Sequence, residues 1–140
     1  MNTIISFTIQ DKTNYEQSLA IREKVFIDEQ KVSRPLEVEN EAEATYFLLL
    51  VDGKPAGTAR WRRTSEGIKL ERFAVLHQYR NNKLGTVLLQ FVLKSLVGNP
   101  NKIYLHSQLR AVNYYLRQGF VEVGAEFVEA NIRHIKMVKQ

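Results

Sequence analysis

The chain has 140 residues, room for one domain around one core and too few for two. With 44% apolar and 25% charged residues it has the composition of a globular domain, which argues against a disordered or fibrous chain. The lack of cysteine excludes disulfides, thiolate metal sites and a cysteine nucleophile, while the net charge of +5 admits an anionic partner, nucleic acid or a phosphate-rich cofactor, beside a plain basic surface.

The first residues lack the basic-then-apolar layout of a secretory signal. The longest apolar run, Tyr46–Val51, is far short of the ~18 residues a membrane helix needs. Both features lead us to expect a cytoplasmic protein with no membrane partner. A short strand is predicted at Ser6–Ile9 after Ile4-Ile5. Thr13 and Glu16 have capping-box spacing, which predicts a helix from there to about Gln30. Its apolar face holds Tyr15, Leu19, Val25 and Phe26, with Arg22, Glu23 and Glu29 on the other faces. From Lys31 to Ala44 the chain is acidic and irregular, with Pro35, Glu37, Glu39, Glu41 and Glu43. It reads either as a solvated loop or as the rim of a cleft for a cationic substrate.

Three strands follow, at Tyr46–Val51, Ala56–Arg63 and Ile68–Leu76, joined by the hairpin signal Asp52-Gly53 and a turn at Thr64–Gly67. Leu84, Val87, Leu88, Phe91 and Val92 then recur at helical spacing until Gly98-Asn99-Pro100. A strand at Ile103–Ser107, a helix from about Leu109 to Gln118, and strands at Phe120–Val123 and Ile132–Val138 complete the chain. The order β-α-β-β-β-α-β-α-β-β predicts a single α/β domain, residues 1–140, with a mixed sheet.

The chemistry concentrates between Glu71 and Thr86. A short polar loop there joins a strand to a helix and presents unpaired N–H groups at the helix N-terminus, an arrangement that attracts phosphate. Arg80 and Lys83 add positive charge, and Gly85 lacks a Cβ that would obstruct an anion. An ordinary strand–loop–helix turn explains the same residues, and no nucleotide-type glycine loop is present.

Val75–Thr86 resembles the pyrophosphate motif Q/R-x-x-G-x-G/A of the GNAT acetyltransferase superfamily, with Arg80 first, Gly85 last and Lys83 in place of the middle glycine. Gln108–Phe120 resembles the second motif, N-x-x-A-x-x-x-Y-x-x-x-G-F, through Ala111, Tyr115, Gly119 and Phe120, with Gln108 for Asn. Arg22–Gln30 is similar to the R-x-x-V-F-x-x-E-Q signature of a bacterial ElaA-like branch, and Asn131–Met137 to its G-I-x-H-x-x-M pattern, with Asn for Gly. The likeness spans residues 20–138.

The resemblance implies a GNAT-like mixed, mostly antiparallel sheet with flanking helices, and acetyl transfer from acetyl-CoA to a primary amine of a small molecule or protein. It implies coenzyme contacts from Phe73, Ala74 and Val75 as main chain. It extends them to Arg80, Asn81, Asn82, Lys83, Leu84, Gly85, Thr86, Gln108 and Asn113, with homodimers common in the family. Tyr115 is the implied general acid. Such a reaction needs the amine deprotonated, the carbonyl polarised and the leaving thiolate protonated. Glu71 is our first candidate for the base, against the alternative of a salt bridge with Arg60 or Arg62. His134 is the rival base, against a structural role. The three histidines lack zinc-site spacing, so no metal is expected. Two other functions stay open at this stage. A non-catalytic acetyl-CoA sensor is suggested by Lys83 and Gln108. Nucleic-acid binding is suggested by Arg60, Trp61, Arg62 and Arg63, although strand alternation splits that stripe between two faces.

Overall fold

A computed structural model describes residues 1–32 and 41–140. Strands β1 (Asn2–Phe7), β2 (Ala44–Val51), β3 (Lys54–Thr64), β4 (Gly67–Val75), β5 (Ile103–Gln108), β6 (Phe120–Glu129) and β7 (Ile132–Lys139) form one seven-stranded sheet. Its order is β1-β2-β3-β4-β5-β7-β6. Every neighbouring pair is antiparallel except β4 and β5. The α/β architecture and the element order expected from the sequence are therefore those the chain adopts. Among the described residues no helix is long and apolar enough to cross a membrane.

The run Tyr46–Val51 has no polar alternation because both faces of β2 are covered. Phe47 and Leu49 join Leu88, Leu89 and Val92 of helix α2 (Leu84–Ser95) in one core. Tyr46 and Leu48 join Ile21 of helix α1 (Lys12–Arg22), together with Val25, in a second core on the opposite face. Leu88 is fully buried, a burial that stabilises by roughly 1.5–3 kcal/mol.

Helix α1 starts earlier than the capping-box reading placed it. Asp11 is the N-cap, its side chain accepting from the Asn14 amide at 3.2 Å, so Thr13 and Glu16 lie inside the helix. A carboxylate at this position caps a helix better than a threonine hydroxyl. The predicted single helix to Gln30 is also two segments. After Arg22 the chain widens into a π-helix, Glu23–Glu29, in which the Gln30 amide donates to the Val25 carbonyl. Such bulges recur at functional sites. This one delivers Phe26 and Gln30 to the cavity described below.

Asp52 and Gly53 both adopt positive φ, 50° and 81°, as the tight hairpin requires. The helix expected from Leu109 is a 3₁₀ turn, Leu109–Ala111, followed by α3 (Val112–Arg117). Strand β6 runs on to Glu129, beyond the predicted end at Val123, as an exposed edge with a register shift between Val123 and Phe127.

Two irregularities of β4 position the site. The parallel ladder with β5 consists of Ile68↔Ile103, Lys69↔Tyr104 and Leu70↔Leu105, and then stops. Both strands continue, so the β5-facing edge of β4 beyond Leu70 has no strand opposite it. On the other edge Thr58 pairs with Ala74 and Arg60 with Glu71, leaving Arg72 and Phe73 opposite the single Ala59. This is a β-bulge, and Arg72 takes the left-handed φ of 57° that it needs.

Candidate active site

A groove follows the splay between β4 and β5. At the N-terminus of α2 lies a cavity of about 630 Å³ lined by Val75, Arg80, Lys83, Gly85, Thr86 and Tyr114, among others. It leads into a channel of about 140 Å³ between Phe73, Ala74, Val75, Gly85, Tyr114 and Tyr115. Beyond Phe73 and Tyr115 opens a third cavity of about 260 Å³, which Glu71, His106, Glu129 and His134 also line. The three spaces adjoin: the first two share Val75, Gly85 and Tyr114, and the second and third share Phe73 and Tyr115.

The first end is built from main chain. The N–H groups of Leu84, Gly85 and Thr86 precede the first helical bond of α2, from the Val87 amide to the Lys83 carbonyl, and no side chain caps them. A Cβ added to Gly85 would meet no protein atom within 4 Å, so the glycine leaves open space toward the groove. Asn81 and Lys83 hold φ of 70° and 58°. The family motif has glycine at the position of Lys83, a residue at ease in that conformation. Lys83 holds the same left-handed conformation, so the loop keeps a shape that glycine would adopt without strain. Together, the unpaired strand edge, the orphan amides and the space above Gly85 suit a long anion-tailed thioester such as a coenzyme A derivative.

Several expected coenzyme residues also have partners within the protein or lie outside the groove. Arg80 donates from Nε to the Val75 carbonyl at 2.9 Å and pairs with Glu29 at 2.9 Å, so its guanidinium ties the loop to the π-helix and does not point freely outward. The Leu84 side chain is buried in the core, leaving its amide for the groove. Asn82 and Asn113 are exposed and line none of the three cavities. Gln108 lines the third cavity, where its Nε2 donates to Gln30 at 3.0 Å. Tyr114, unassigned by sequence, shares a hydrogen bond of 2.8 Å with Thr86 that joins α3 to α2.

Glu71 is not a free base. Its carboxylate accepts from Arg60 Nε at 3.0 Å and Arg62 Nε at 2.9 Å. Lys69 and Arg72 stand 3.8 Å away. Burial alone would raise its pKa, but the surrounding cations, Arg60 foremost, outweigh it and hold the carboxyl below the usual carboxylate range. The salt-bridge alternative describes this residue. The same network buries Arg60 and Arg22, at 0% and 1% exposure, with Glu41 between them. Arg22 thus lies inside, contrary to the face expected for it. Glu41 is spent on this network instead of rimming a cleft, and Pro35, Glu37 and Glu39 of the acidic stretch lie outside the described residues. With Arg60 buried and Trp61 packed against the core, the Arg60–Arg63 segment is no exposed nucleic-acid patch.

His134 is buried, and its Nδ1 lies 2.7 Å from the Ile132 carbonyl. A carbonyl only accepts, so Nδ1 carries the proton and Nε2 of the neutral ring keeps its lone pair. Nε2 stands 3.8 Å from Oε2 of Glu129, whose Oε1 lies 3.2 Å from His106 Nδ1. The bond to His106 lowers the Glu129 pKa to about 2. Neither Glu129 nor His106 was singled out by sequence, because three separate strands bring them together and no local spacing marks them. Among the described residues no group of three or more His, Cys, Asp or Glu side chains forms a metal site.

Tyr115 sits where channel and third cavity meet, edge-on to Tyr114 and Phe120. Burial, with Tyr114 beside it, pushes its phenol up to about 12, so it stays protonated at neutral pH. Among the described residues its hydroxyl makes no hydrogen bond to protein.

Comparison with known proteins agrees with this geometry. A family model for an acetyltransferase (GNAT) domain matches residues 9–140. A Bacillus subtilis protein described as the uncharacterized N-acetyltransferase YjcF is 30% identical over 133 residues, 93% of this chain and 95% of its own. An acyl-CoA N-acyltransferase from Pseudomonas aeruginosa shares the fold with a TM-score of 0.89 at 23% identity, over the full length of both chains. Escherichia coli ElaA does so with a TM-score of 0.88 at 21% identity, over 99% of each. With its splayed strands, its glycine-opened helix start and these matches, the chain belongs to the GNAT acetyltransferase family and is an acyl-CoA-dependent N-acetyltransferase.

Proposed function

We propose that the donor is acetyl-CoA, the acceptor a primary amine, the proton donor Tyr115 and the base His134. The observation that carries this reading is that Phe73 and Tyr115 line both the channel from the coenzyme end and the third cavity. A short acyl group threaded between β4 and β5 would present its carbonyl at that junction, with an amine arriving from the other side.

Acetyl-CoA supplies an activated thioester when bound. The amides of Leu84, Gly85 and Thr86 would hold its pyrophosphate, and the open edge of β4 at Phe73–Val75 its arm. His134 Nε2 takes the proton from the incoming amine, and the phenol of Tyr115 gives its proton to the departing sulfur. Glu71 organises the wall through its arginines and moves no proton, since a carboxylate so stabilised is a weak base at neutral pH.

The test is thiol release from acetyl-, butyryl- and octanoyl-CoA with a panel of primary amines. Tyr115→Phe should lower kcat and kcat/KM together by ~10²–10⁴-fold, leaving acetyl-CoA affinity unchanged in calorimetry. Tyr114→Phe should stay within a few-fold of wild type. Full turnover by Tyr115→Phe would sink the acid assignment, and equal rates with octanoyl-CoA would sink the donor assignment.

A further inference from the structure

The third cavity contains a pair of acceptor atoms that the mechanism above does not use together. His134 Nε2 and Glu129 Oε2 are 3.8 Å apart. That is too far for a direct hydrogen bond, yet a single nitrogen between them reaches both at ~2.9 Å. Each atom's orientation is fixed from behind. The Ile132 carbonyl holds His134 through Nδ1. His106 Nδ1–H holds Glu129 through Oε1, since a carboxylate only accepts. The Phe127 ring stacks on His134 with centroids 5.8 Å apart and stands edge-on to His106 at 4.9 Å.

We propose that Glu129 Oε2 and His134 Nε2 together form the seat of the acceptor's ammonium group, with His106 as the residue that positions Glu129. This rests on the reading of His134 as base and extends it to the form in which the acceptor arrives: a protonated primary aliphatic amine. Two N–H groups of R–NH₃⁺ donate, one to Oε2 and one to Nε2. The proton on the second then passes to Nε2, giving R–NH₂ and an imidazolium. Glu129 keeps its bond to the amine and faces the new imidazolium charge. The other titratable side chains lining the cavity are Lys69, Glu71, Arg72, His106, Arg110 and Tyr115; Glu71 is enclosed by Arg60 and Arg62, and Glu66, outside the cavity, pairs with Lys136. Lys69 is already turned toward Glu71. The carboxylate left facing the amine is therefore Glu129. Quaternary ammonium ions and alcohols do not fit this seat, the first for want of N–H donors and the second for want of charge.

The experiment uses ethylammonium as the probe and tetramethylammonium as its control, followed by NMR of the His134 side-chain nitrogens in the full-length protein. Ethylammonium should shift Nε2 saturably in wild type, and tetramethylammonium should not. Glu129→Gln should weaken the ethylammonium effect at least tenfold. It should also raise KM for an accepted amine at least tenfold while kcat moves less, with acetyl-CoA affinity unchanged. His106→Phe, which removes the N–H donor, should act in the same direction, and His106→Asn, which restores a donor at that position, should recover most of the loss. Equal ethylammonium binding by Glu129→Gln, or an equal response to tetramethylammonium, overturns the proposal. Loss in His106→Asn as large as in His106→Phe overturns the positioning role. The two readings fail separately. Amine-dependent thiol release with no role for Glu129 would defeat the seat alone. Ethylammonium capture by Glu129 without any thiol release would defeat the base assignment and leave the seat standing.

Discussion

The two ends of the groove are made of different material. At the end we propose for the coenzyme, the groups on offer are peptide groups: the unpaired edge of β4, the first amides of α2 and the left-handed residues Asn81 and Lys83. At the acceptor end they are side chains whose surroundings decide what each does. Glu71 and Glu129 line the same cavity, but arginines enclose the first while an imidazole holds the second by one oxygen and leaves the other open. Peptide groups tolerate changes of side chain as long as shape survives. The end we propose for the acceptor should have no such tolerance, because in that reading one atom carries one task.

The sharpest way to break this contrast is Glu71→Gln. It takes from the buried Arg60 one of its two carboxylate partners, leaving Glu41, which should cost up to ~3–5 kcal/mol of stability, visible in denaturant unfolding. The pH dependence follows from the lowered folded pKa. The contribution of Glu71 is fully present above the ordinary carboxylate pKa and is lost as pH falls through the folded value. Wild type should therefore lose stability on acidification more steeply than Glu71→Gln. Parallel acid limbs would show that Glu71 is not a stabilising charge.

A smaller effect is expected from Gly85→Val at the coenzyme end. Its added carbons project into open space, so the fold should persist while acetyl-CoA binding weakens about tenfold, ~1.4 kcal/mol. Unchanged affinity in a well-folded variant would place the coenzyme elsewhere. The smallest effect is Lys83→Gly. Relief of the left-handed strain should raise stability by up to ~1 kcal/mol, and acetyl-CoA binding should lose part of its salt sensitivity with one cation removed. Destabilisation by this change would show that Lys83 supports the loop by its side chain.

Much of the fold was legible because apolar period and turn chemistry agree locally: Asp52-Gly53, the Leu84–Val92 spacing and the two-sided run of β2 each specify their element. The charged interior was legible only in part: a pairing of Glu71 with Arg60 or Arg62 was one of the alternatives, but its depth and the Arg22–Glu41 pair were not foreseen. Arg22 and Arg60 read as surface residues, since burial of a guanidinium depends on partners far along the chain, here Glu41 and Glu71. The π-helix escaped for a related reason, as its widening has no period of its own in sequence. Tyr115 and Gly85, the residues we propose for acid and coenzyme cradle, were proposed from spacing in family-like motifs, and both line the groove. Glu129 lay between the predicted strands Phe120–Val123 and Ile132–Val138, in residues no predicted element covered, because an exposed edge strand needs no apolar face.

The bulge at Arg72 acts as a change of reading frame along β4. Ile68 and Leu70 point into the α2 core, and continued alternation would send Ala74 there as well. The extra residue reverses the parity, so Phe73 and Val75 pack toward α2 and Ala74 joins the α1 core. One inserted residue thereby lets Glu71 serve the ionic side while Phe73, two positions on, serves as the wall of the channel. Deleting Arg72 would restore plain alternation, with Phe73 alone opposite Ala59, and leave Glu71 and Phe73–Val75 on the faces they now hold, removing only the bulge, whereas replacing it with glycine or asparagine keeps the bulge and its left-handed turn.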